Sequence, residues 1–175
     1  MTTGVLLVVV VLVVVALAVL LLYNGLVRAR LTVREAWSLI DVQLQRRASL
    51  IPNLVEAVKG YAEYERGTMT RIAEARGALG AAAGPRAAAQ ANDTLTGALQ
   101  SFFAVAEAYP ALKASERFAQ LQTDLADTEN KIAYARSYYN AAVQLYNTKA
   151  QSFPGLLIAS PFGFAPAEFF TASAP

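Results

Sequence analysis

The sequence contains no histidine and no cysteine. Without histidine the commonest general base is missing, and with it the Ser-His-Asp arrangement and most transition-metal sites. Carboxylate-bridged di-iron bundles fail as well, because they need Glu-x-x-His pairs. Without cysteine there is no thiol nucleophile, no zinc-thiolate site, no disulfide and no lipid-modified cysteine anchor. A glycine-rich phosphate loop is also missing. Charge is sparse and nearly balanced, with a net value of +2, which does not suit a nucleic-acid binder. Carboxylates remain. Glu56, Glu63, Glu65, Glu74, Glu107 and Glu129 are spread along helical stretches, and a Mg²⁺ or Ca²⁺ cluster is the minor alternative. No catalytic residue, metal or cofactor is therefore expected.

What the chain has instead is one unbroken apolar run. Val5 to Leu22 are eighteen residues with no Gly, Pro or charge among them. As a helix they cover about 27 Å, close to the hydrocarbon core of a bilayer. A buried core helix would show a polar face, and this run has none. Val5, Leu12 and Leu22 are thus expected within a membrane, with Tyr23 at its aromatic edge. A cleaved signal peptide is the rival reading. However, Met1-Thr2-Thr3-Gly4 lacks the usual basic residue, and the cleavage-like triplet Ala16-Leu17-Ala18 lies inside the run. Arg28, Arg30 and Arg34 follow the run and no Lys or Arg precedes it. The positive-inside rule then expects the larger, C-terminal part in the cytoplasm. These arginines read as a topological signal and a solvated helix face, with contact to anionic headgroups as the sharper alternative.

Beyond the run, alanine-rich composition points to helix throughout. In a first stretch, about 24–49, Val33, Trp37, Ile40 and Leu44 share one helical face. A second, about 52–79, carries Val55, Val58, Ala62, Glu65, Met69, Ile72, Arg76 and Leu79 at similar spacing. Pro52 between them suits the first turn of a new helix, and a kinked continuous helix is the alternative. Residues 77–93 are a Gly/Ala/Pro patch read as a loop or hinge. The third stretch, about 86–109, aligns Leu95, Leu99, Phe102, Ala106 and Tyr109 and stops before Pro110. The fourth starts near a capping Ser115. It aligns Phe118, Leu121, Leu125, Thr128, Ile132, Ala135, Tyr139, Ala142 and Tyr146, and ends at Phe153-Pro154-Gly155. The fold class expected is all-α: an N-terminal transmembrane helix, then an antiparallel up-and-down four-helix bundle with a Phe-rich C-terminal tail.

Several polar residues fall on or beside apolar seams. Asp41, Glu65, Arg76, Glu129, Arg136 and Asn140 are candidates for an internal polar network that fixes bundle register. Alternatively they line a groove for a peptide, headgroup or neighbouring subunit. The tail carries Phe153, Phe162, Phe164, Phe169 and Phe170 but a single charge, Glu168. It is too short and broken to span a bilayer. Three readings stand: a strap packed on the bundle, an interfacial segment in lipid, or a contact surface for partners.

The string YNGLVRARLTVREAWSLIDVQLQRRASLIPNLVEAVKGYAEYE resembles the LemA family, as do AVAEAYPALKASERFAQLQTDLADTENKIAYARSYYNAAVQLYNTKAQSFPGLLIA and FGFAPAEFF. The resemblance covers roughly residues 23 to 170, interrupted by the Ala/Gly patch. Tyr64 stands where the family commonly has His. The resemblance implies a single-pass protein of the bacterial inner membrane with a cytoplasmic helical bundle. It implies no catalytic mechanism and no agreed ligand. The domains expected are an anchor over 1–23, a bundle over 24–150 and an apolar aromatic tail over 151–175. The function expected is that of a non-enzymatic membrane-anchored scaffold that self-associates. Membrane remodelling through the tail, or a ligand or carboxylate-metal receptor in a polar groove, are the alternatives. Expected partners are the lipid bilayer, further copies of the chain (a homo-oligomer) and other membrane proteins, with no nucleic acid.

Overall fold

The computed structural model describes residues 2–59 and 66–171. Six helices account for most of them: α1 Thr2–Val58, α2 Arg66–Ala81, α3 Pro85–Ala106, α4 Pro110–Lys113, α5 Glu116–Gln151 and α6 Leu156–Ala159. Among the described residues there is no strand, so the fold is all-α.

Of the two forms expected around Pro52, the continuous helix is the one found: α1 runs through it. The cause lies in the apolar register. Ala29, Val33, Ala36, Ile40, Leu44, Arg47, Ile51, Leu54 and Val58 are all buried, at three- and four-residue intervals that never break. Pro52 itself is exposed, so its ring needs no room in the core. Its missing N–H leaves the carbonyl four residues earlier, that of Ala48, without a helical donor. Arg76 on α2 supplies one: its Nε donates to the Ala48 carbonyl at 3.0 Å. Residues 52–58 therefore belong to α1, and the second helix starts only at Arg66. Ala62 and Glu65 lie outside the described residues.

The Gly/Ala/Pro patch is mostly helical, because alanine is the best helix former and outweighs single glycines. Only residues 82–84 link α2 to α3. Gly84 takes φ +87°, which an L side chain rarely adopts, and Pro85 opens α3 with its φ already suited to a helix. So short a link leaves α2 packed along α3. The X-Pro rule acts at Tyr109, whose φ and ψ of −115° and 87° take it out of the helix before Pro110. Ser115 accepts a 3.4 Å hydrogen bond from the Phe118 amide at the start of α5. Thr128, fully buried on the α5 seam, returns its hydroxyl to the Leu125 carbonyl at 2.8 Å and so needs no distant partner.

The described chain forms two compact units, each with its own core. Met1–Ala36 and Asn140–Ala167 make the first, and Trp37–Tyr139 with Glu168–Pro175 the second. In the first, Leu26, Ala29 and Val33 share burial with Val143, Tyr146, Ala150, Ile158 and Phe164. In the second, Ile40, Ile51, Leu54, Ile72, Leu95, Phe102, Leu125, Ile132 and Phe170 fill the interior.

Candidate functional site

Residues Phe164 to Thr171 have no regular secondary structure and form a strap on α5. Backbone outside a helix or sheet has no ladder partners, and where it is covered its N–H and C=O groups need others. α5 supplies them from side chains. In the first unit, the Tyr146 hydroxyl donates to the Ala165 carbonyl at 2.8 Å. Asn147 grips Ala167 from both sides: its amide nitrogen donates to the carbonyl at 3.0 Å, and its oxygen accepts from the N–H at 2.8 Å. That pairing imitates one rung of a β-ladder. Phe164 is buried, with its ring edge-on to Tyr23 at 5.5 Å and the Arg30 guanidinium 5.9 Å from its centroid. Phe162 packs edge-on against the same tyrosine at 5.3 Å while remaining exposed on its other side.

In the second unit, the Tyr139 hydroxyl donates to the Glu168 carbonyl at 2.7 Å. Trp37 lies between Tyr139 and Phe170, with centroids 5.7 and 6.1 Å away, and Phe170 is almost fully buried. Burial, and then the nearby Glu168 charge, push the Tyr139 phenol up to about 12. Phe169 is half-buried and Phe153 exposed.

The second unit also holds a polar cluster around Arg47. Its side chain is only 3% exposed, and one terminal nitrogen donates to both the Asn92 side-chain oxygen and the Glu129 carboxylate. Thr96 donates to the Asn92 carbonyl at 3.0 Å and leans toward Glu129 at 3.4 Å. Burial lowers the Arg47 pKa from its ordinary value, against the pull of Glu129 and Asp93. Arg46 and Lys131 bracket Asp127 at 3.5 and 2.8 Å on the surface beside it.

The candidate network residues are thus not one network. Glu129 belongs to the Arg47 cluster. Arg76 spends its Nε on the Ala48 carbonyl. Asp41 accepts from Gln45 one turn on, at 2.8 Å. Arg136 and Asn140 are half-buried. Glu65 lies outside the described residues. Arg47 and Asn92 carry the cluster and were not candidates. Their signal was present: Arg47 continues the Ile40–Leu44 seam by three residues, and Asn92 precedes Leu95 and Leu99 on theirs. Tyr146 and Asn147, which seat the strap, stood out as a seam tyrosine and a neighbouring polar residue, but nothing in the sequence named the strap backbone as their partner.

Among the described residues, apolar surface also remains outside these contacts. Val5 to Leu21 are almost all exposed, and among the described residues nothing covers that stretch of α1. In the second unit, Leu39, Gln43, Asn130, Lys131, Tyr134 and Ala135 line a groove between α1 and α5. Leu39, Val42, Tyr134 and Tyr138 around it are exposed, and Gln43 Oε1 is buried with no hydrogen-bond partner among the described residues.

A family model described as the LemA family matches residues 36–175. Magnetosome protein MamQ 2 of Paramagnetospirillum magneticum is 29% identical, over 86% of this chain and 65% of its own length. Magnetosome protein MamQ of Magnetospirillum gryphiswaldense is 26% identical over the same shares. Protein LemA of Metamycoplasma hominis is 28% identical, over 74% of this chain and 60% of its own length. The chain therefore spans less than two thirds of the length of these curated relatives.

Proposed function

The chain belongs to the LemA family, and from that premise we propose a membrane-anchored, non-enzymatic interaction protein that works by self-association. The Val5–Leu22 helix is the anchor. The arginines that follow it support a cytoplasmic location for the rest of the chain at a bacterial inner membrane. An antiparallel up-and-down bundle is the body that the anchor holds at the bilayer. The magnetosome names of two relatives fit a protein whose work is done on a membrane.

The observation that carries self-association is the Leu39, Val42, Tyr134 and Tyr138 face of the second unit. Apolar side chains clustered on a surface mark a contact. The unpartnered Gln43 oxygen at its centre marks where a donor from a second copy would complete it. A non-enzymatic reading is supported by how the polar side chains are used. Arg47 binds both Asn92 and Glu129, and Arg76 binds backbone. Confinement to two dimensions raises the effective concentration of copies, so a weak face suffices.

Cross-linking in native membranes tests this. Wild-type chain is expected to give dimer and higher bands, and Leu39→Glu or Tyr134→Arg is expected to remove them. Monomer-sized bands alone in the wild type overturn the proposal.

A further inference from the structure

The first unit carries an apolar surface that its own core does not use. Phe153, Leu156, Leu157 and Phe162 are 82, 52, 63 and 55% exposed. They lie in the segment from the end of α5 to the start of the strap, which includes α6. No charged residue stands between Lys149 and Glu168. Gly155 lets this segment close against the end of α5: a Cβ there would collide with the Lys149 carbonyl. The turn is thus held in place with its large side chains facing outward.

Its location decides what covers it. Phe153, Pro154 and Gly155 line a groove together with Leu21, Leu22, Gly25 and Leu26. Phe162 meets Tyr23 edge-on at 5.3 Å. The turn therefore touches α1 where the apolar run ends, next to the basic residues Arg28 and Arg30.

We propose that Phe153, Leu156, Leu157 and Phe162 form a second membrane contact: a collar inserted at the headgroup boundary of the leaflet that holds the C-terminal end of the Val5–Leu22 helix. This rests on reading that helix as a span. Lipid is the occupant because the collar is continuous with a helix surface that no other described residue covers. Large apolar side chains beside basic ones are also the composition of interfacial segments. The collar has a consequence that a lone span lacks. A single helix rotates freely about the bilayer normal and slides in depth. A second insertion point beside it fixes depth and the face turned to the membrane.

The absence of cysteine makes the test clean. Full-length chain is placed one copy per nanodisc, in an about 3:1 mixture of phosphatidylcholine and phosphatidylglycerol, which supplies anionic headgroups. Nitroxide labels are attached in turn to Phe153→Cys, Leu157→Cys and Phe162→Cys. Leu12→Cys serves as the in-lipid reference, and Gln120→Cys, exposed on α5, as the water reference. Each variant is checked by its melting curve. At the collar positions, collisions with oxygen should stay high. Access by a water-soluble nickel chelate should fall about tenfold below that at Gln120, a difference of ~1.4 kcal/mol. Nickel access equal to that at Gln120, with Leu12 still in lipid, overturns the collar alone. Nickel access at Leu12 overturns the span as well. Protection from both reagents means protein covers the face, and also overturns the proposal. Self-association plays no part in single-copy discs, so the outcome is independent of it.

Discussion

Pro52 and Arg76 act as one unit although they sit on different helices. The proline withholds a donor from the Ala48 carbonyl, and the arginine restores it from outside. A hydrogen bond of this kind contributes about 1 kcal/mol net. Arg76→Met should therefore lower stability by about 1 kcal/mol in denaturant titration. In a Pro52→Ala background, where the helix makes its own bond to Ala48, the same change should cost almost nothing. Equal costs in both backgrounds would mean that Arg76 acts elsewhere. Sequence periodicity placed Arg76 on a seam and marked it as awkward, but the backbone atom it serves is not encoded in any side-chain pattern. Arg47 and Asn92 were legible in principle. Their positions continue apolar seams, and a polar side chain too long to reach its own helix backbone signals a partner on another helix, as the short Thr128 does not.

At the scale of elements, the strap is held by side chains of α5 and not by a sheet. Asn147 satisfies both backbone groups of Ala167, so Asn147→Ala leaves two groups unpaired, at about 1–3 kcal/mol for each that stays buried. Release of the strap is expected first. Limited proteolysis within residues 160–171 should speed up in this variant while cutting elsewhere stays unchanged. Tyr139 ties the strap to pH. An unfolded tyrosine ionises near pH ~10, whereas in the fold this phenol is pushed up to about 12. The folded chain holds the proton more tightly. The stabilisation is therefore whole below about pH 10 and is lost as pH rises through the folded value. Urea titrations should show a steeper fall for wild type than for Tyr139→Phe over that window. The α5 seam was fully legible, since nine residues at three- and four-residue spacing were all buried. The boundary between the first two helices was not. A proline is the commonest stop signal, and here an unbroken apolar register overrode it. The alanine-rich patch misled in the same way, because glycine and proline read as a loop while alanine kept the helix going to Ala81.

At the scale of the whole molecule, charge and apolarity are segregated along the chain. All its Lys, Arg, Asp and Glu follow the apolar run. The orientation this implies is measurable. A Gln120→Cys chain in intact cells should resist a membrane-impermeant maleimide until the cells are permeabilised. Replacing Arg28, Arg30 and Arg34 with Gln should produce a labelled fraction. Labelling of the unaltered chain in intact cells would reverse the proposed topology. The long apolar helix was legible at once, because eighteen apolar residues without a break keep one register. Which tail side chains face outward was not, because a Phe-rich tail reads alike whether its rings point in or out. Phe164 and Phe170 turn inward, while Phe153 and Phe162 turn outward.

The bond between Arg76 and the Ala48 carbonyl also predicts how such sequences drift. Positions 52 and 76 are expected to vary together: where a residue with its own N–H replaces the proline, the Ala48 carbonyl no longer needs the arginine. Position 48 lends the bond only its backbone oxygen, so the bond itself places no demand on the side chain there.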